Sequence, residues 1–473
     1  MNKRYYIPQA IPYVNAAPHI GHALEFVQAD CLARFYRLCG FEVIYSAGAD
    51  ENSLKNVQAA ETEGIPTIEL VDKYAKKFED LKTILNLTWD IFNRTSEKHH
   101  FAGAQKLWKL CKKEDIYKKN YKGLYCIGCE IFYTPEEIVG GKCPDGHTNI
   151  EKQEEENYFF KLSNYQKFLE DLIETDKLKI VPETRKNEVL SFIKQGLEDF
   201  SISRTKERAH GWGVPVPGDD SQVMYVWFDA LTTYLTALGF GGKDDSLYKK
   251  FWVENENITH IIGKGIIRFH AVYWIGILAS AQIKLPPQEF VHGYITLEGE
   301  KISKSLGNVV DPFGVVADFG ADVVRYYLLR EIPSYGDGDF SLKRLKEIYN
   351  GELANGLGNL VSRVAKLAEK AKVNLRTSSP SFSDGVKNNL KIFRFDLALD
   401  SIFKQISSLD SIINKEKPWE KEGAELKEII EPIAETVSQI GFDLSPFMPE
   451  TSGKILKQFS GTICAGDPLF PRI

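Results

Sequence analysis

The sequence predicts an α/β protein: a doubly wound parallel sheet, interrupted by an insertion and followed by an α-helical bundle domain. Three observations predict it. A strand–helix–strand unit opens the chain, a cysteine-bearing stretch breaks the alternation midway, and the last stretch is helical in period almost throughout. At 473 residues the chain is longer than one hydrophobic core fills, so several domains are implied.

The first strand lies in "RYYIPQAIPYVN", apolar and aromatic up to Asn15. Ile20, Leu24, Val27, Cys31, Phe35 and Leu38 then fall on one helical stripe that stops at Gly40. "FEVIYSAG" (41–48) reads as a second, buried strand. Two strands joined by a helix are parallel neighbours, and the helix starting near His19 would stand at the carboxyl end of the first strand, where doubly wound sheets hold ligands. From about 115 to 213 the rhythm breaks. Strand and helix patterns resume in "MYVWFDALTTYLTAL" (224–238) and "ITHIIGKGIIRFHAVYWIGILASA" (258–281). Beyond about 340, segments such as "NLVSRVAKLAEKAKV" place Leu360, Val364 and Leu367 on one face, with "RTSSPSFSDG" as a polar linker.

A hydrophobic share of 43% and a charged share of 26% exclude a disordered or fibrous chain. The net charge of −6 gives no global basic field, so any nucleic acid would need a local groove. "MNKRYYIPQAIPYV" lacks the plan of a secretory leader, and the longest apolar stretch, 271–283, is too short to span a bilayer. A cytoplasmic protein without a membrane partner is expected. Cys31, Cys39, Cys111 and Cys464 are scattered, while Cys126, Cys129 and Cys143 cluster, which in the cytosol argues for metal.

Three stretches carry chemistry. In "APHIGHALEF", Gly21 relaxes the backbone at a helix start, whose free N–H groups attract an anion. His19 and His22 there are placed to donate hydrogen bonds to phosphoryl oxygens as charge builds in a transition state. In "EGEKISKSLGNVVDP", Lys301 and Lys304 flank Ser303, with Ser305 following, in a glycine-bounded loop suited to a polyphosphate. In "YCIGCEIFYTPEEIVGGKCPDGH", Cys126 and Cys129 form a C-x₂-C hook that Cys143 and His147 close into a tetrahedron, the ligand set of a structural zinc.

The paired stretches "HIGH" (His19–His22) and "KISKS" (Lys301–Ser305) resemble the HIGH and KMSKS signatures of class I aminoacyl-tRNA synthetases, and within that class the chain resembles the methionyl family. "YVWFDALTTYL", "IGKGIIRFHAVYW", "GADVVRYYLLRE" and "ANGLGNLVSR" carry the likeness nearly end to end. The resemblance implies a Rossmann-type catalytic domain split over 1–114 and 214–296. It also implies a connective insertion with a zinc knuckle (115–213), a KMSKS-loop and stem-contact region (297–340) and an α-helical anticodon-binding domain (341–473). It implies ATP with Mg²⁺, L-methionine and tRNA(Met) as partners. His19, Gly21, His22, Lys301, Ser303, Lys304 and Ser305 would meet the nucleotide, the two histidines and two lysines acting catalytically. Ile11, Tyr13, Trp227, Ala230, Tyr234, Phe269 and His270 would line the methionine slot, with Asp50 facing the amino group. Tyr and His near the sulfur would donate a hydrogen bond that a leucine side chain cannot accept. Asn359, Arg363 and Trp419 would read the anticodon, the indole stacking on an unpaired base.

The chain departs from the family pattern in several places. "GADENS" stands where the family has GTDEHG, so Asn52 replaces a histidine. Ile302 replaces a methionine, and one extra residue separates Cys143 from His147. Ending at "PLFPRI", the chain is expected to be a monomer or to work with a separate tRNA-binding subunit.

Overall fold

The computed structural model describes residues 3–126, 128, 131–133, 135–144, 146–301, 309–375 and 381–472, with the main chain alone at 131, 132 and 301. The chain divides into two compact units. The first comprises Met1–Pro18, Glu42–Asp80 and Trp89–Val291, the second His19–Phe41, Leu81–Thr88 and His292–Ile473.

The first unit is built on a parallel sheet. Its strands are β1 (Arg4–Pro8), β2 (Glu42–Ala49), β3 (Ile91–Arg94), β4 (Lys179–Val181), β5 (Thr259–Gly263) and β6 (Gln288–His292). β1, β2 and β3 pair in parallel register, with Tyr6 opposite Ile44 and Ala47 opposite Phe92. β6 pairs in parallel with β4 and neighbours β5. Parallel bridges Tyr6–Ile258 and Gln9–Ile261 join the two halves. The order is therefore β3-β2-β1-β5-β6-β4, and the direction of winding reverses between β1 and β5, where sheets of this kind hold their ligands. β1 is shorter than the apolar run suggests, because Pro12 lacks an N–H and pairing past Pro8 survives only as single bridges at Gln9 and Tyr13. β4 comes from the stretch expected to be an insertion and forms the sheet edge.

The core of this unit gathers Tyr6, Leu107, Phe160, Trp252, Ile262 and Trp274, all buried. Beside it stands a four-stranded antiparallel sheet, ordered Ile131–Tyr133, Ile116–Cys126, Ile150–Phe160, Phe200–Ser201. Its two long strands are in register from Ile116–Phe160 to Cys126–Ile150, which carries Cys126 to the far end of the ribbon. There Cys126, Tyr133 and Cys143 make a small core of their own with Ile138 and Ile150.

The second unit is mainly helical. Helix α1 (Ile20–Leu38) follows the predicted stripe and ends at Gly40, whose φ of +79° suits glycine. Later helices include Ala321–Arg330, Asn359–Lys370, Phe395–Glu416 and Gly423–Asp443. A fully buried Arg325 ties this unit together. Its Nη1 meets Asp30 of α1 at 2.7 Å, while Nε and Nη2 donate to the carbonyls of Phe447 and Pro446, each at 2.8 Å. Burial pushes the Asp30 carboxyl up, but Arg325 and Arg34 outweigh it and hold the group below its ordinary value. Among the described residues no helix is long and apolar enough to cross a membrane.

Candidate active site

α1 opens on a capping box made of histidines. His19 is the N-cap in extended conformation, and its Nδ1 accepts the N–H of Gly21 at 3.1 Å. Reciprocally, His22 Nδ1 accepts the N–H of His19 at 3.1 Å. An imidazole nitrogen that accepts carries no proton, so each ring holds its proton on Nε2. The rings stack at 3.8 Å between centroids. The geometry thus presets two Nε2–H donors side by side at a helix N-terminus. It also explains Gly21: a Cβ there would sit 3.0 Å from His19 Nδ1 and Cε1. The glycine makes room for the cap.

The described stretches that flank the second signature on either side are bonded to the helix that opens on the first. The N–H of Ile20 donates to the carbonyl of Val310 at 3.0 Å. His292 donates from Nδ1 to the Gly293 carbonyl (2.7 Å), and its Nε2 faces Glu25 of α1 at 2.9 Å. From there the chain runs through Ile295–Leu297 and a tight turn at Glu298 and Gly299, both at positive φ, into Glu300–Lys301. Ser303, Lys304 and Ser305 lie outside the described residues, as does the side chain of Lys301.

The expected methionine residues gather in the first unit, at the carboxyl ends of β1 and β2 and on the segments after Met224 and Gly263. Tyr13 bridges to Asp50 across the strand ends, and Asp50 is buried. The Trp227 ring lies flat on Phe269, centroids 3.7 Å apart, and edge-on to Tyr13 at 6.3 Å. Ala230 is buried on the same short helix as Trp227. Ile11 packs beside Gly48, where a Cβ would meet the Asn93 carbonyl at 2.3 Å and Ile11 Cγ2 at 2.8 Å. His270, in a π-helical turn (Phe269–Trp274), donates from Nδ1 to the Ile266 carbonyl at 2.9 Å. Its Nε2 therefore accepts the Tyr234 hydroxyl proton at 2.6 Å. Burial pushes the imidazole down to about 4, against the pull of the Ile266 bond, so it is neutral near pH 7. The one hydroxyl proton of Tyr234 is thus committed to His270, where the sequence suggested a donor to sulfur.

Asn52 and Asp229 were not among the expected site residues. Asn52 Nδ2 donates to Asp229 Oδ2 (2.7 Å) and to the Thr95 carbonyl (3.0 Å). His100 Nε2 reaches Asp229 Oδ1 at 2.5 Å. The signal was present in "VWFDAL": a carboxylate inside an apolar run must be buried and paired.

In the ribbon tip, Cys126 Sγ, Cys143 Sγ and a ring nitrogen of His147 lie within 4.8 Å of one another. His147 Nδ1 stands 3.5 Å from Cys143 Sγ, which also accepts the His147 N–H at 3.3 Å. A Cβ at Gly128 would lie 2.4 Å from the His147 ring, so this glycine inside the C-x₂-C hook seats the imidazole. Cys129 lies outside the described residues. On the helical unit, Asn359 is exposed and Arg363 half-buried, four residues apart on one helix face. The Arg363 guanidinium sits 4.9 Å over the Trp419 ring, which is 45% exposed. Asn359 is no helix cap, since helical backbone continues on both sides of it.

A parallel sheet reversing at β1, a first helix that starts on paired imidazoles and flanks of a lysine-bearing signature bonded to that helix define a class I aminoacyl-tRNA synthetase. Comparison with known proteins gives the family. The family described as tRNA synthetases class I (M) matches residues 5–154 and 145–365. The methionine–tRNA ligase of Clostridium perfringens is 40% identical over 513 residues, covering 100% of this chain and 78% of the relative. That of Brucella suis is 39% identical over 511 residues, covering 99% and 98%. Mycobacterium tuberculosis methionyl-tRNA synthetase in complex with methionyl-adenylate superposes with a TM-score of 0.92 at 36% identity, over 99% of this chain and 100% of that one. The chain belongs to the methionyl-tRNA synthetase family.

Proposed function

We infer that this chain is a methionine–tRNA ligase that joins L-methionine to tRNA(Met) at the expense of ATP. A carboxylate oxygen of methionine attacks the α-phosphorus of ATP, which enters as its Mg²⁺ complex, and pyrophosphate leaves. The 3′-terminal adenosine of the tRNA then attacks the methionyl carbonyl with one of its ribose hydroxyls, and AMP departs. Such phosphoryl chemistry asks the protein for position and charge stabilisation.

The observation that carries the reading is the histidine capping box. Two Nε2–H donors fixed in tautomer before substrate arrives need no reorganisation when charge builds on the phosphate oxygens. Gly21 holds that arrangement open, and Lys301 and Lys304, with Ser303 and Ser305, neutralise the departing pyrophosphate. Asp50 takes the methionine ammonium. Ile11, Tyr13, Trp227, Ala230, Tyr234, Phe269 and His270 line the slot. With the Tyr234 proton spent on His270, selection rests on shape and on the polarizable sulfur against aromatic rings. Asn359, Arg363 and Trp419 read the anticodon.

Cys126, Cys129, Cys143 and His147 hold a structural Zn²⁺. Three of these donors converge, and Gly128 is shaped around the fourth residue's ring, which supports the assignment. The ion would pin the ribbon tip and leave no open position for chemistry.

The test is methionine-dependent ATP–pyrophosphate exchange, followed by charging of tRNA(Met). Exchange is expected with methionine and not with leucine, valine or cysteine. Exchange driven by one of those instead, or by none, refutes the reading.

A further inference from the structure

Arg363 is held by more than the indole. Its Nη2 donates to Asn414 Oδ1 at 3.0 Å. Asn414 lies near the end of the helix Phe395–Glu416 and is exposed. Asp410 stands one turn earlier on that helix and feels the same guanidinium: burial pushes its carboxyl up while the charge of Arg363 pulls it down. Arg363 therefore has two rival partners on one helix face. Asp410 offers a charged carboxylate, and Asn414 offers a neutral oxygen.

An arginine side chain is rich in rotamers, and ordering it on RNA binding is costly unless it is placed beforehand. The Asn414 carbonyl supplies that placement, because it holds one edge of the planar guanidinium while the indole holds its face. Without Asn414, the Asp410 carboxylate remains as a charged partner one turn away on the same helix.

We propose that Asn414 is a positioning residue for anticodon reading, one that keeps Arg363 stacked on Trp419 and out of an ion pair with Asp410. The inference rests on the assignment of Arg363 and Trp419 to the anticodon.

The full chain is tested in steady-state aminoacylation of tRNA(Met), with pyrophosphate exchange and thermal unfolding alongside. Asn414→Ala is expected to raise the KM for tRNA roughly ten-fold, the scale of one hydrogen bond to a charged group, with kcat, exchange and unfolding temperature unchanged. Adding Asp410→Asn to that variant should recover much of the loss, since the competing charge is gone. An unchanged KM in Asn414→Ala overturns the proposal, as does a loss that Asp410→Asn fails to relieve. Arg363→Ala separates the two layers. If it leaves the KM for tRNA unchanged, the anticodon assignment itself fails. If it raises the KM while Asn414→Ala does not, only the positioning role fails.

Discussion

Gly21→Ala tests the histidine capping box without touching a polar side chain. The new Cβ would meet His19 Nδ1 and Cε1 at 3.0 Å, well inside the separation of about 3.5–4.0 Å at which carbon contacts are favourable. The imidazole must give by a few tenths of an ångström, which stretches the 3.1 Å bond from the Gly21 N–H that fixes its tautomer and re-aims its Nε2. The ring that His22 stacks on at 3.8 Å shifts with it. The stability terms nearly cancel: alanine for glycine in a helix gains about 1 kcal/mol, and the lost cap costs about 1 kcal/mol. Catalysis has no such offset, because a preorganised donor aimed at developing charge is worth about 100- to 1000-fold in rate. The variant should therefore unfold at nearly the wild-type temperature and bind methionine normally, yet exchange pyrophosphate at least about 100-fold more slowly. Calorimetry, methionine titration and exchange on one preparation separate these quantities. Exchange within about threefold of the wild type at unchanged stability would falsify the claim that the cap presets the donors.

Three further outcomes follow from other parts of the molecule. Purified protein should carry about one Zn²⁺ per chain, and Cys143→Ser or strong chelation should lower its unfolding temperature; metal-free protein with an unchanged transition would remove the zinc assignment. His270 is held near 4 in the folded state against an ordinary 6.5, so the unfolded chain takes up the proton first as pH falls. Stability attributable to this group is therefore complete above about 6.5 and declines towards 4, by about 2 kcal/mol at pH 5, and urea midpoints for His270→Gln should fall less steeply over that range than those of the wild type. Arg325→Met leaves Asp30 buried without its main counter-charge and should cost about 3–5 kcal/mol; adding Asp30→Asn should return part of it, and strict additivity in that cycle would contradict the pairing.

What the sequence made legible was whatever depends on spacing within one element. The stripe from Ile20 to Leu38 gave α1, and the C-x₂-C hook with its second pair gave the ribbon tip, where the His147 ring does lie beside Cys143. What stayed hidden depends on partners far along the chain. Arg325 reads as one polar residue in "VVRYYLL", and only the fold brings it to Asp30 and to the carbonyls of Pro446 and Phe447. β4 has three residues, too few for any period to show. The direction of the Tyr234–His270 bond was unreadable for a similar reason. It is set by the Ile266 carbonyl, a main-chain acceptor that no side-chain pattern reveals.

Asn52 shows how such a hidden partner changes the meaning of a motif. Against the family's GTDEHG, the asparagine in "GADENS" stands in place of a histidine. In the fold its amide nitrogen points at Asp229, and Asp229 sits between Trp227 and Ala230 on the helix Val226–Leu231. The same carboxylate meets His100 from its other oxygen. Both oxygens of a fully buried carboxylate thus have partners, and an Asn52→Ala change would remove one while leaving the charge buried. The side chain ties the loop after β2, which carries Asp50, to the helix that carries Trp227 and Ala230. A methionine titration of the variant should therefore show weaker binding, because both ends of that tie hold residues proposed to line the methionine slot.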